Sequence, residues 1–250
     1  MTGLRVEGAC VDRAGAPVVH DVDLDVAAGE VTVLLGANGV GKSTLLDGIA
    51  GVAPTRSGRV FLGGVEIGGR SHRRRVRTGL AYVQQGREVF GELTVEENLL
   101  VAAPRRRIGR AFDLFPELQP RAAVAASLLS GGEQQMLVLA RALLGEPKTL
   151  MIDELSLGLA PVIVDRVLAT VAQLAADGLG ILLVEQFADR ALAYGHRAAV
   201  MARGRIVLQG PAAELRSRLD QLRAAYLGGE ANPTNSGGTA SEDATEEEQP

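Results

Sequence analysis

Val31-Thr-Val-Leu-Leu-Gly36-Ala37-Asn38-Gly39-Val40-Gly41-Lys42-Ser43-Thr44 passes from an apolar, β-branched run through a glycine-rich turn into an apparent helix. The run 31–35 reads as a buried strand. Gly36 to Thr44 then satisfies G-x-x-x-x-G-K-[ST] in the strand–turn–helix context that pattern requires. Glycines let successive backbone N–H groups curl around a polyphosphate, and a helix starting there turns its positive end to the same anion. Residues 36–44 are therefore the candidate nucleotide-binding loop. Lys42 would reach the β- and γ-phosphates, and Ser43 would offer its hydroxyl to Mg²⁺.

Around this loop, short strand-like runs at 4–6, 22–26, 60–62, 80–83, 150–153, 181–184, 198–201 and 206–209 alternate with helical patterns. Strands alternating with helices imply a mainly parallel sheet covered by helices. The fold class expected is therefore α/β, a P-loop NTPase with a mainly parallel central sheet. The runs at 4–6, 22–26 and 31–35 have little helix between them and read as an antiparallel β edge, and 198–201 with 206–209 reads as a hairpin. Residues 94–144 are rich in Ala, Leu and Arg and read as an inserted α-helical lobe. Residues 1–229 form the expected catalytic domain.

Composition narrows the function. The chain has 250 residues, 46% of them hydrophobic and 22% charged. No apolar run approaches the roughly 18 residues that span a bilayer, and the charged N-terminus is not a secretory signal. A single cysteine, Cys10, excludes an internal disulfide framework, and a reducing cytoplasmic location is the expectation. The formal charge is −4. Residues 230–250 hold Glu230, Glu242, Asp243, Glu246, Glu247 and Glu248 without a Lys or Arg, so they account for more than the whole of it. That segment is expected to be a disordered acidic tail. The body is close to neutral, without the basic field of a nucleic-acid binder. Two arginine groups, Arg70, Arg73, Arg74, Arg75 and Arg77 and then Arg105, Arg106, Arg107 and Arg110, read as solvated faces or as contacts for an anionic partner.

A second stretch, Leu150-Met-Ile-Asp153-Glu154, is an apolar strand ending in two carboxylates. Asp153 would hold Mg²⁺ through water, and Glu154 would polarise the attacking water as a general base. Between the two lies Leu129-Ser130-Gly131-Gly132-Glu133-Gln-Gln135, ahead of an apparent helix. A serine hydroxyl and two glycine amides at a helix N-terminus make a second anion site. One nucleotide does not need two cradles, so the second serves a nucleotide on another subunit.

These stretches together resemble the ATP-binding cassette (ABC) ATPases over about residues 3–229. Leu129, Ser130, Gly131, Gly132 and Glu133 resemble the signature motif, residues 36–44 the Walker A, and residues 150–154 the Walker B with its catalytic glutamate. Gln85, in Tyr82-Val-Gln-Gln-Gly86, falls at the Q-loop. The resemblance implies ATP and Mg²⁺ as ligands, Gln85 as a metal and water contact, and a head-to-tail dimer that sandwiches ATP. Residues 86–99, Ser156-Leu-Gly-Leu-Ala-Pro161, Leu183-Val-Glu-Gln186 and Ala225-Tyr-Leu-Gly resemble LivF-type cassettes. That likeness implies an importer for branched-chain amino acids or related small polar solutes such as urea and amides. It also implies a second cassette (a paralogue or a second copy), two permeases, a solute-binding protein and the cytoplasmic membrane face, with no nucleic acid.

Four departures stand out. Gln186 occupies the slot of the switch histidine, where a neutral amide could still bond a γ-phosphate; His196 does not fill it. The adenine-stacking aromatic is missing, leaving Arg13 either to stack on the base or to lie in a solvent-exposed turn. Leu155 replaces the usual proline, and Ala160 the aspartate of many cassettes. Two alternative functions remain: a soluble mechanical ATPase and a low-activity regulatory cassette. Residues 90–100 are either a permease docking patch or part of the lobe's own core.

Overall fold

The computed structural model describes residues 3–186 and 188–222; the acidic segment 230–250 lies outside them. From the N-terminus come β1 (Leu4–Arg13), β2 (Ala16–Val26), β3 (Val31–Leu35), α1 (Lys42–Ala50), β4 (Thr55–Leu62), β5 (Val65–Glu66), α2 (His72–Thr78) and β6 (Leu80–Val83). Next are α3 (Val95–Ala102), α4 (Arg105–Leu114), two 3₁₀ turns, α5 (Gly131–Leu143), β7 (Thr149–Asp153) and α6 (Pro161–Ala176). The described chain closes with β8 (Gly180–Glu185), α7 (Ala188–Tyr194), β9 (Arg197–Ala202), β10 (Arg205–Pro211), α8 (Ala212–Ser217) and α9 (Leu219–Leu222).

The strands make two sheets, a four-stranded one ordered β2-β1-β4-β5 and a six-stranded one ordered β10-β9-β3-β8-β7-β6. Burial explains the division. β2 buries Val22, Leu24 and Val26 and exposes Asp21, Asp23 and Asp25, the alternation of a strand with one solvated face. β3, β7 and β8 are buried at every residue, as a sheet covered on both sides requires. The expectation that residues 31–35 join the antiparallel edge is therefore corrected. β3 pairs in parallel with β8 and β9, and β4 takes the remaining place beside β1. The hairpin of β9 and β10 turns through Arg203 and Gly204 alone, with φ of 48° and 75°. Two successive positive φ values match the right-handed twist of the strands they join.

Alternate residues of the central sheet feed two cores. Val31, Val33 and Leu35 pack with α5, α6 and the segment 94–144, whereas Leu34 packs with α1 and the antiparallel sheet. Two helices of segment 94–144 start on capping boxes: Thr94 and Ser130 each accept from the N–H three residues on and are answered by Glu97 and Glu133. Asn98, fully buried, bonds both backbone groups of Phe90 and the Leu93 and Thr94 carbonyls. Residues 90–100 thus divide: Val95, Asn98 and Leu99 belong to the core, while Phe90 stays half exposed.

The arginine groups also divide. Arg75 is buried, and its guanidinium donates to the Gly48 and Ile49 carbonyls at the C-terminus of α1, at 2.8 and 2.6 Å. Arg73, Arg74 and Arg77 are exposed, and Arg70 is half-buried. Arg105 pairs with Glu96, and Arg107 and Arg110 pair with Glu146.

Candidate functional site

The site gathers at the C-terminal edge of the six-stranded sheet, where open α/β sheets bind ligands. The glycine-rich loop follows β3, Gln85 follows β6, and Asp153 ends β7 with Glu154 next in sequence. A cleft of about 340 Å³ is lined by Arg13, Val18, Asn38, Gly39, Gly41, Lys42, Ser43, Thr44, Gln85 and Glu154. Glycine is required where the loop is tightest. A Cβ on Gly36 would lie 2.5 Å from the Met201 carbonyl oxygen, and Gly41 takes φ 109° to open α1.

Lys42 is buried, and its ammonium donates to the Gly36 and Ala37 carbonyls at 2.7 and 2.9 Å. Burial lowers its pKa from the usual lysine value, and Glu154, Asp153 and Glu185 oppose that shift by attraction. Asp153 is also buried, which raises its pKa above the carboxylate norm; a Ser43 hydrogen bond works the other way. Its Oδ1 has no hydrogen-bond partner. A buried carboxylate oxygen without a donor suits a cation. The oxygen donors Ser43 and Asp153, with Gln85 at the mouth, fit a hard divalent ion such as Mg²⁺. Among the described residues no group of three or more His, Cys, Asp or Glu could hold a metal, so substrate phosphates would complete such a shell.

Glu154 has φ 49°, in the left-handed region. Its N–H donates to the Val184 carbonyl at 3.0 Å, and its carboxylate accepts from the Gln85 side-chain amide at 2.6 Å. Leu155 is fully buried in the core. A proline there would push residue 154 toward extended backbone, so Leu155 suits the left-handed turn.

Not every expected residue reaches the cleft. Arg13 does, and its Nη1 lies 3.5 Å from the Thr44 hydroxyl, an arrangement beside the loop's last residue that the sequence left undecided. Gln186 is exposed at the end of β8, and its N–H bonds the Glu185 carboxylate. Leu129, Ser130, Gly131, Gly132 and Glu133 line no part of the cleft and open α5 instead. Ser130 Oγ accepts from Glu133 N–H at 3.3 Å, while the Gly131 and Gly132 amides sit in the first turn, where helices lack internal acceptors. His196 serves the backbone, its Nδ1 accepting from Val31 N–H at 3.1 Å.

Three residues escaped the sequence. Val18 walls the cleft against Gly41, and no motif marks it. Arg87 donates to the Leu157 carbonyl and presses on Gly131 and Gly158, tying three loops together. Glu185 is buried beside the site. A carboxylate closing an otherwise apolar strand was the available signal for it.

A glycine-rich phosphate loop after a parallel strand, facing two carboxylates at the end of β7, one strand removed across β8, defines a P-loop nucleotide hydrolase. Residues 19–156 match the family model described as ABC transporter. The chain is 42% identical over 218 residues to the high-affinity branched-chain amino acid transport ATP-binding protein BraG of Pseudomonas aeruginosa, covering 84% of this chain and 93% of that one. It is also 42% identical over 206 residues to the probable branched-chain amino acid transport ATP-binding protein LivF of Archaeoglobus fulgidus, covering 79% and 87%. Among solved structures, a nucleotide-free ATP-binding cassette from an ABC transporter superposes with TM-score 0.80 at 27% identity, covering 88% of this chain and 96% of that one. The ADP conformation of the cassette MJ1267 gives 0.80 at 26%, covering 90% and 99%. The chain belongs to the ABC transporter family and is one of its ATP-binding, ATP-hydrolysing cassettes. No described helix is long and apolar enough to cross a membrane.

Proposed function

We propose that the chain is the ATPase subunit of an importer for branched-chain amino acids, or for related small polar solutes such as urea and amides. The observation that carries the hydrolytic part is the convergence of the phosphate loop, Gln85 and Glu154 on one cleft. The solute class rests on the two relatives' names. In this reading the amides of residues 36–44 and the Lys42 ammonium hold the β- and γ-phosphates, with Arg13 at the nucleoside side. Ser43, Asp153 and Gln85 would hold Mg²⁺, which would supply charge neutralisation to the triphosphate. Glu154 accepts the proton of the attacking water while Gln85 keeps its carboxylate aimed, and Gln186 offers a neutral donor to the γ-phosphate.

The Leu129–Glu133 turn, remote from this chain's own cleft, completes the site of a second cassette, as two separate anion cradles on one chain suggest. Residues 1–229 then act as one domain with the lobe 94–144 inserted, at the cytoplasmic face of the membrane against two permeases, one of them near Phe90. A solute-binding protein delivers the cargo. Purification of the Glu154→Gln chain from native membranes tests this. Recovery of a second cassette and two permeases is expected, with leucine, isoleucine or valine stimulating hydrolysis by the wild-type complex in vesicles. Recovery of ribosomal or DNA-associated proteins without an integral membrane protein overturns it.

A further inference from the structure

We propose that Glu185 is a positioning residue that aims Glu154 by locking Ser156. Glu185 is 2% exposed and lines no part of the nucleotide cleft. Its two carboxylate oxygens take both donors of Ser156, besides the N–H of the next residue, Gln186. Oε1 accepts the Ser156 N–H at 3.0 Å, and Oε2 accepts the Ser156 hydroxyl at 2.6 Å. A bidentate, charge-assisted clamp of this kind fixes both the backbone and the side chain of residue 156. Glu154 stands two residues earlier, in a left-handed conformation that few non-glycine residues hold unaided. Such a conformation persists where surrounding structure over-determines it.

Here three bonds do so from a single strand end. Val184, the residue before Glu185, receives the Glu154 N–H, and Glu185 itself receives Ser156 twice. The two ends of the turn are thus tied to adjacent residues of β8, with Leu155 driven into the core between them. Burying a carboxylate is costly, and burial accordingly raises the pKa of Glu185 above its ordinary value. A neutral strand end would avoid that cost. The carboxylate's return is a turn of one shape, which leaves the Glu154 side chain directed to Gln85 and the cleft. Ser156 connects the two acids and lines no part of the nucleotide cleft.

The inference rests on Glu154 as the general base, and the experiment separates the two. Steady-state hydrolysis by the transporter complex is measured for Glu154→Gln, Glu185→Gln, Ser156→Ala and Ser156→Thr, with ATP affinity of the full chain from a fluorescent ATP analogue. Because misplacing a reacting group by about 1 Å costs up to roughly a hundredfold in rate, Glu185→Gln and Ser156→Ala are expected to lower kcat about tenfold or more. The analogue's Kd should stay within about twofold, Ser156→Thr should restore turnover, and the double variant should be no worse than the poorer single. Unchanged kcat in Ser156→Ala, or a kcat loss matched by an equal loss of ATP affinity, overturns the role of the clamp. Should Glu185→Gln fail to fold, the comparison of Ser156→Ala with Ser156→Thr decides alone. Full activity in Glu154→Gln would instead sink the reading of Glu154.

Discussion

The side-chain amide of Gln85 donates to the carboxylate of Glu154 at 2.6 Å, across 69 residues of sequence. Replacing it with a second carboxylate, Gln85→Glu, sets like charges together and forces them apart or into sharing a proton. Turnover should fall about tenfold or more, because the base loses its aim. Phosphate release under saturating ATP measures this. Equal activity would mean that the contact does not hold the base.

Glu154→Gln keeps shape and hydrogen bonding and removes the proton acceptor, so kcat should drop roughly a hundredfold or more with ATP still bound. In a complex of two unlike cassettes, a neutral Gln186 in place of a cationic residue is expected to make the site on this chain the slower one. Glu154→Gln here should then cost less overall turnover than the same change in the partner. Equal losses would show two equivalent sites.

Lys42 holds two loop carbonyls and is the buried cation of the cleft. A hydrogen bond to a charged group contributes about 2 kcal/mol, roughly thirtyfold in Kd. Lys42→Met should weaken nucleotide binding by at least that factor without unfolding the chain. Titration with a fluorescent ATP analogue, alongside a melting curve, separates affinity from stability.

Asn98 fastens the chain after Gln85 to the lobe through four hydrogen bonds to backbone groups, and its Oδ1 also receives Arg141 at 3.3 Å. Asn98→Ala strands several buried groups, at about 3 kcal/mol in total. That corresponds to a Tm about 6–12 °C lower for a domain of this size. A shift below about 2 °C would mean that the loop finds other partners.

Glu97 supplies one acid-dependent part of the lobe's stability. Hydrogen bonds from the Thr94 backbone N–H and hydroxyl hold its pKa below the ordinary carboxylate value. A pKa depressed on folding stabilises above the unfolded value, about 4.3 for glutamate, and the contribution fades as pH falls through the folded value. The Tm of Glu97→Gln should therefore converge on that of the wild type below about pH 4 and lie under it near neutrality. Parallel curves across that range would exclude the capping carboxylate as the cause.

What could be read in advance was contiguous in sequence. The loop 36–44 and the acids at 153 and 154 announce themselves because each motif is one strand end and the turn that follows it. β3 was assigned to the wrong sheet because its neighbours β8 and β9 lie more than a hundred residues away, and only burial on both faces reveals them. Glu185 was invisible for a similar reason. Its partner Ser156 is 29 residues earlier, and nothing in either segment names the other. Arg75 reads as one of a run of surface arginines, yet it alone of its group is buried, its guanidinium turned to carbonyls in the last turn of α1.

Leu34 and Leu35 are consecutive, yet one belongs to the core shared with α1 and the antiparallel sheet and the other to the core shared with α5 and the lobe. Substitutions in sites without shared partners have additive effects. A change in the core that meets the lobe is therefore expected to leave the packing against α1 in place. One strand thus separates the packing behind the nucleotide loop from the packing behind the lobe.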